Sequence, residues 1–67
     1  MKVKINVKEI RDSKKITLEE LSKKADVNLK DLEKFENGDI NIKFDIAVKI
    51  AYALGVKVTD LYKIEEY

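Results

Sequence analysis

The sequence predicts an all-α domain in which five short helices share one small core. Three observations predict it. The 67 residues contain no Pro and only two Gly, so little interrupts a helix. Apolar residues recur at helical spacing through most of the chain. Two good cap residues, Thr17 and Asn28, open successive helices with only a tight turn between them.

The elements follow in order. Lys2-Val3-Lys4-Ile5 alternates polar and apolar, the pattern of a short strand or of extended chain. Asn6 is the expected cap of a first helix, about Val7 to Lys15, with Glu9 placed as in a capping box. Thr17-Leu18-Glu19-Glu20 is a clearer capping box. The second helix then runs from about Leu18 to Ala25, burying Leu18, Leu21 and Ala25. Asp26-Val27 is a turn. Asn28 caps a third helix, about Leu29 to Asn37, which turns Leu32 and Phe35 to the core. Gly38 ends it, since glycine accepts the left-handed backbone of a helix C′ position.

Asp39 to Lys43 reads as a loop with Ile40 and Ile42 as apolar plugs. Phe44 to Leu54 is apolar nearly all round and is expected as the central buried helix, closed by Gly55. Thr59 is the expected cap of a short fifth helix, Asp60 to about Ile64. The length sets a single domain, residues 1–67, with no linker, repeat or low-complexity segment.

Composition removes several functions. Without His or Cys there is no disulfide, no His- or Cys-based zinc site and no His general base. No glycine-rich phosphate loop is present, and no apolar run suits a membrane span or signal peptide. The expectation is a cytoplasmic protein that is not an enzyme, with no cofactor, metal or small-molecule effector. Net charge is only +1, but residues 1–15 hold six bases against two acids.

The second and third predicted helices, with their tight turn, form a helix-turn-helix unit at about residues 18–37, whose second helix can enter a DNA major groove. From Val7 to Tyr62 the chain resembles the Cro/repressor-type (XRE-like) helix-turn-helix family. The matching residues are Leu21, Val27, Glu36-Asn37-Gly38, Ile50-Ala51, Ala53-Leu54-Gly55-Val56 and Asp60-Leu61. The resemblance implies a compact, five-helix, lambda-repressor-like fold and a sequence-specific DNA-binding transcriptional regulator. It also implies an ion pair between the first helix and the end of the third, here Arg11 and Glu36. Independently, Arg11 is the lone Arg among fourteen basic residues. A planar guanidinium suits a sheltered bidentate carboxylate pair better than an ammonium does.

On this reading the base-facing residues are Asn28, Leu29, Lys30, Asp31 and Lys34. Lys donates to guanine O6 and N7, and Leu touches a thymine methyl. Phosphate contacts are expected from the backbone of the Asn37-Gly38-Asp39 loop and from Lys43, and Thr17 and Leu18 are also expected in the DNA-binding surface. The chain departs from the family at Asp26, where Gly is usual, and at four positions of the expected interface. Leu18 replaces a Gln, Leu29 an Arg or Gln, Asp31 a Thr or Ser, and Asp39 a Lys or Arg. Residues 28–43 therefore hold three bases against four acids, a poor match to a polyanion. The expected partner is double-stranded DNA, bound by a homodimer through Tyr62, Ile64 and Tyr67, with half-sites about one helical turn apart. The alternative is a protein-interaction module of the same fold, antitoxin-like, with weak or lost DNA binding.

Overall fold

The computed structural model describes residues 2–66. Its elements are β1 (Lys2–Ile5), α1 (Val7–Ser13), α2 (Leu18–Ala25), α3 (Leu29–Glu36), α4 (Phe44–Leu54), a 3-10 turn (Val58–Leu61) and β2 (Tyr62–Glu65). Four α-helices enclose the core, and the two strands pair antiparallel beside them.

α2 begins where its sequence says it should. Thr17 Oγ1 accepts from the Glu20 N–H at 3.1 Å, and Glu20 Oε1 accepts from the Thr17 N–H at 3.0 Å. Asn28 Oδ1 caps α3 by accepting from the Lys30 N–H at 2.8 Å. Leu21 and Ala25 of α2 meet Leu32 and Phe35 of α3 in the core, together with Val7, Ile50, Leu54 and Leu61. α4 packs against α2 and against the 3-10 turn.

All four helices close in the same way. Each has a left-handed residue just past its end, at Lys15, Asp26, Gly38 and Gly55. The next N–H reaches back five residues to a carbonyl: Ile16 to Arg11, Val27 to Ser22, Asp39 to Lys34, and Val56 to Ala51, each at 3.0 Å. These are Schellman closures, which satisfy carbonyls the helix leaves open. Two use glycine. Lys15 and Asp26 adopt the same backbone, each with φ 56°, at a steric cost that glycine avoids.

Several expectations need correction. α1 stops at Ser13 rather than Lys15, because Lys15 already takes the closing conformation that folds Ile16 onto the core. Asn6 does not cap α1 with its side chain. Its N–H donates to the Leu61 carbonyl at 2.7 Å and its amide to the Asp60 carbonyl at 3.4 Å, tying α1 to the far end of the chain. Only Ile42 of the loop packs on the core, while Ile40 is exposed. α4 is not buried all round: Phe44, Val48 and Tyr52 face solvent.

The largest difference is at the C-terminal end. No fifth α-helix forms over Asp60 to Ile64. The 3-10 turn starts after Lys57, whose N–H donates to Asp60 Oδ2 at 3.1 Å, so Thr59 is not the cap. The next four residues, Tyr-Lys-Ile-Glu, alternate like Lys-Val-Lys-Ile of β1 and pair with them. The register sets Ile5 opposite Tyr62 and Val3 opposite Ile64. Strand pairing satisfies the backbone of both short segments at once, which a single isolated turn of helix could not do.

Candidate nucleic-acid interface

α2, the Asp26-Val27 turn and α3 form one rigid unit. Val27 is buried in the turn, and Ser22 Oγ donates to its carbonyl at 2.6 Å. With Leu32 and Phe35 pointing inward, α3 presents Lys30, Asp31, Glu33 and Lys34 to solvent. Leu29 is half-buried and Asn28 exposed. The cap occupies the Asn28 side-chain oxygen, so its amide N–H2 is what remains to meet a ligand.

Arg11 fixes the pose of α3. Its Nε donates to Glu36 Oε2 at 2.9 Å and its Nη2 to Glu36 Oε1 at 3.1 Å. Its Nη1 donates to the Ile16 carbonyl at 3.0 Å. One guanidinium thus joins α1, the segment leading into α2, and the end of α3. The hydrogen bond with Glu36 raises the Arg11 pKa above its ordinary value, against the opposing effect of burial.

A groove between α3 and the start of α4 brings together Asp31, Lys34, Asp39, Asn41, Ile42, Lys43 and Ile46. Two of its acids and two of its bases are expected site residues or their neighbours, and their charges cancel. Asp39 Oδ1 accepts from the Asn41 N–H at 3.0 Å, which shapes the loop as an Asx turn. Lys43 precedes α4, where the Ile46 N–H already donates to the Lys43 carbonyl at 3.1 Å and to Asp45 Oδ1 at 3.0 Å, which leaves the N–H groups of Phe44 and Asp45 as the open donors of the first turn.

The expected backbone contacts at Asn37 and Gly38 require a correction. The N–H groups of Asn37, Gly38 and Asp39 donate to Glu33, Phe35 and Lys34 carbonyls, each at 3.0 Å. They close α3 and are not turned outward to an anion. The Asn37 side chain stays exposed. Thr17 is exposed but has its hydroxyl in the capping box, and Leu18 packs half-buried on the core.

A second groove runs between β1 and the end of α3, lined by Lys2, Val3, Lys4, Ile5, Glu36, Asn37 and Gly38. The fold therefore carries bases of the N-terminal segment to the edge of the helix-turn-helix unit. Residue-by-residue reading of the sequence missed this. The signal was the shared alternation of residues 2–5 and 62–65, read as two strands of one ribbon.

The residues expected at a dimer surface separate. Tyr62 is half-buried, its ring edge-on to Phe35 with centroids 5.9 Å apart at 75°. Ile64 is exposed on β2. Tyr67 lies outside the described residues.

A helix-turn-helix family model matches residues 7–61, and the chain belongs to that family, the Cro/repressor-type (XRE-like) proteins. Its fold and family define a DNA-binding regulatory kind of domain, a class not typically enzymatic. No curated protein matches the chain. Among the described residues, no helix is long and apolar enough to cross a membrane.

Proposed function

We propose that this protein is a sequence-specific DNA-binding transcriptional regulator that acts as a homodimer. The first half of α3 reads bases in the major groove. Asn28, Leu29, Lys30 and Lys34 supply the base-edge contacts, and Asp31 accepts from a cytosine amino group. Lys43 and the start of α4 hold a phosphate on one side of the unit. Lys2 adds positive charge on the other, whereas Lys4 beside it is already paired with Glu65 at 3.3 Å. The observation that carries this reading is the exposed, capped and ion-pair-anchored α3 of a chain in the Cro/repressor family.

Selection of bound sites from a random DNA pool tests the proposal. The expected result is a two-fold-related consensus, bound with a log–log salt slope of several units. Lys30→Ala and Lys34→Ala should each relax preference at particular bases. A second reading, an interaction module that keeps the fold but binds DNA weakly, is favoured by the cancelled charge of the α3–α4 groove. Flat, weak binding to every pool sequence at low salt would establish that reading instead.

A further inference from the structure

We infer that two copies of this chain associate through the exposed face of α4, packed antiparallel about a two-fold axis. Phe44, Val48 and Tyr52 stand four residues apart on this helix and are 74%, 40% and 88% exposed. They form one stripe opposite the face that buries Ala47, Ile50, Ala51, Ala53 and Leu54. Scattered exposed apolar residues are ordinary, but two aromatics and a valine aligned on one helix make a contiguous patch, the mark of a covered surface.

The charges beside the stripe select the occupant. Asp45 and Lys49 are exposed and flank the stripe on one side. Although four residues apart, they form no ion pair with each other or with another described residue. In an antiparallel pair the same flank of each helix meets in reverse order. Asp45 of one copy then faces Lys49 of the other, twice over, while Phe44 meets Tyr52 and the two Val48 lie near the axis. A parallel two-fold pair would instead set this flank against the partner's other flank, where Ala47 and Ala51 carry no charge, and leave Asp45 and Lys49 unpaired. The face is thus complementary to itself in one orientation only.

This inference deepens the proposed function by assigning the homodimer a face other than Tyr62, Ile64 and Tyr67. α4 has eleven residues, about 16 Å of helix. The contact is small, so the dimer is weak, with a dissociation constant on the order of 100 µM without DNA.

Sedimentation equilibrium of the whole chain tests it, from about 10 µM to about 1 mM so that mass action populates both species. No DNA is present, so the outcome is independent of base reading. The parent chain should follow a monomer–dimer equilibrium. Tyr52→Glu should weaken it at least about tenfold with the melting temperature unchanged, because this side chain touches little of its own fold. Asp45→Lys should also weaken it, and adding Lys49→Asp should restore it. A parent chain that stays monomeric throughout would overturn the inference. So would a dimer indifferent to Tyr52→Glu and Phe44→Glu but lost in Ile64→Glu, or a charge swap that fails to restore association.

Discussion

Arg11 and Glu36 meet across the fold in a two-pronged ion pair, with side chains only 13% and 9% exposed. Pairs on open surface contribute little, because water and salt screen them. This one is sheltered, and its third donor holds the Ile16 carbonyl. An ammonium could keep one contact but not the fork. Arg11→Lys is therefore expected to lower stability by roughly 1–2 kcal/mol. Arg11→Ala leaves the Glu36 carboxylate without its partner and should cost about 3 kcal/mol. Replacing both partners by Met and Leu should recover most of that loss. Thermal unfolding by circular dichroism reads the series, at about 4–8 °C per kcal/mol for a domain this small. An unchanged melting temperature for Arg11→Lys would show that the pair is not structural.

Lys15 and Asp26 carry the left-handed backbone that closes α1 and α2, each with φ 56°. The family commonly has glycine at the second of these positions. A side chain there crowds the following carbonyl, least for Asp and more for Lys. Glycine removes the crowding but adds freedom to the unfolded chain, so the two effects partly cancel. Lys15→Gly should stabilise by about 1 kcal/mol and Asp26→Gly by about half that. The sites lie in different turns, so the gains should add. Urea unfolding measures both, and a fall in midpoint for Lys15→Gly would contradict the steric account.

Where side chains set local structure, the sequence was legible. The boundaries of α2 follow from Thr17, Glu20 and the spacing of Leu21 and Ala25, because a cap acts within one turn. The core residues Leu32 and Phe35 follow from α3 periodicity in the same way. What depended on partners far along the chain was not legible. Residues 62–65 have too few positions to favour strand over helix alone, and only pairing with residues 2–5 decides the matter. The solvent-facing side of α4 was hidden because its composition is apolar on both faces, so periodicity carried no signal. The candidate interface divides likewise. The exposure of Lys30 and Lys34 came from helix spacing, whereas the approach of Lys2 and Lys4 to Asn37 required the fold.

The capping box of α2 is sensitive to acid. Hydrogen bonds from the Thr17 backbone and side chain hold the Glu20 carboxyl below the usual carboxylate range. The folded state therefore binds this proton less readily than the unfolded chain. The resulting stabilisation is fully present above the ordinary glutamate pKa and is lost as pH falls through the lowered folded value. Glu20→Gln keeps an oxygen that accepts from the Thr17 N–H but has no proton to gain. Its melting temperature should fall less steeply than the parent's between neutral pH and about pH 2. Parallel curves for the two chains would exclude Glu20 as a contributor to acid unfolding.

Asp39 offers the sharpest separation between charge and shape at the interface. Its carboxylate lies in the groove with Lys34 and Lys43 and offsets them, yet one of its oxygens shapes the loop through the Asn41 N–H at 3.0 Å. Asp39→Asn keeps an oxygen for that turn and removes the negative charge. If the groove faces a phosphate, the substitution should tighten DNA binding several-fold at low salt, uniformly across sequences. The advantage should shrink as salt rises, since added ions screen the same charge. Asp39→Ala controls for shape: it removes charge and turn together, so its gain should be smaller. Fluorescence anisotropy on a selected site and on a scrambled one measures all three chains. Equal affinity of the parent and Asp39→Asn at every salt concentration would place this groove away from the DNA, leaving phosphate contact to the edge that carries Lys2.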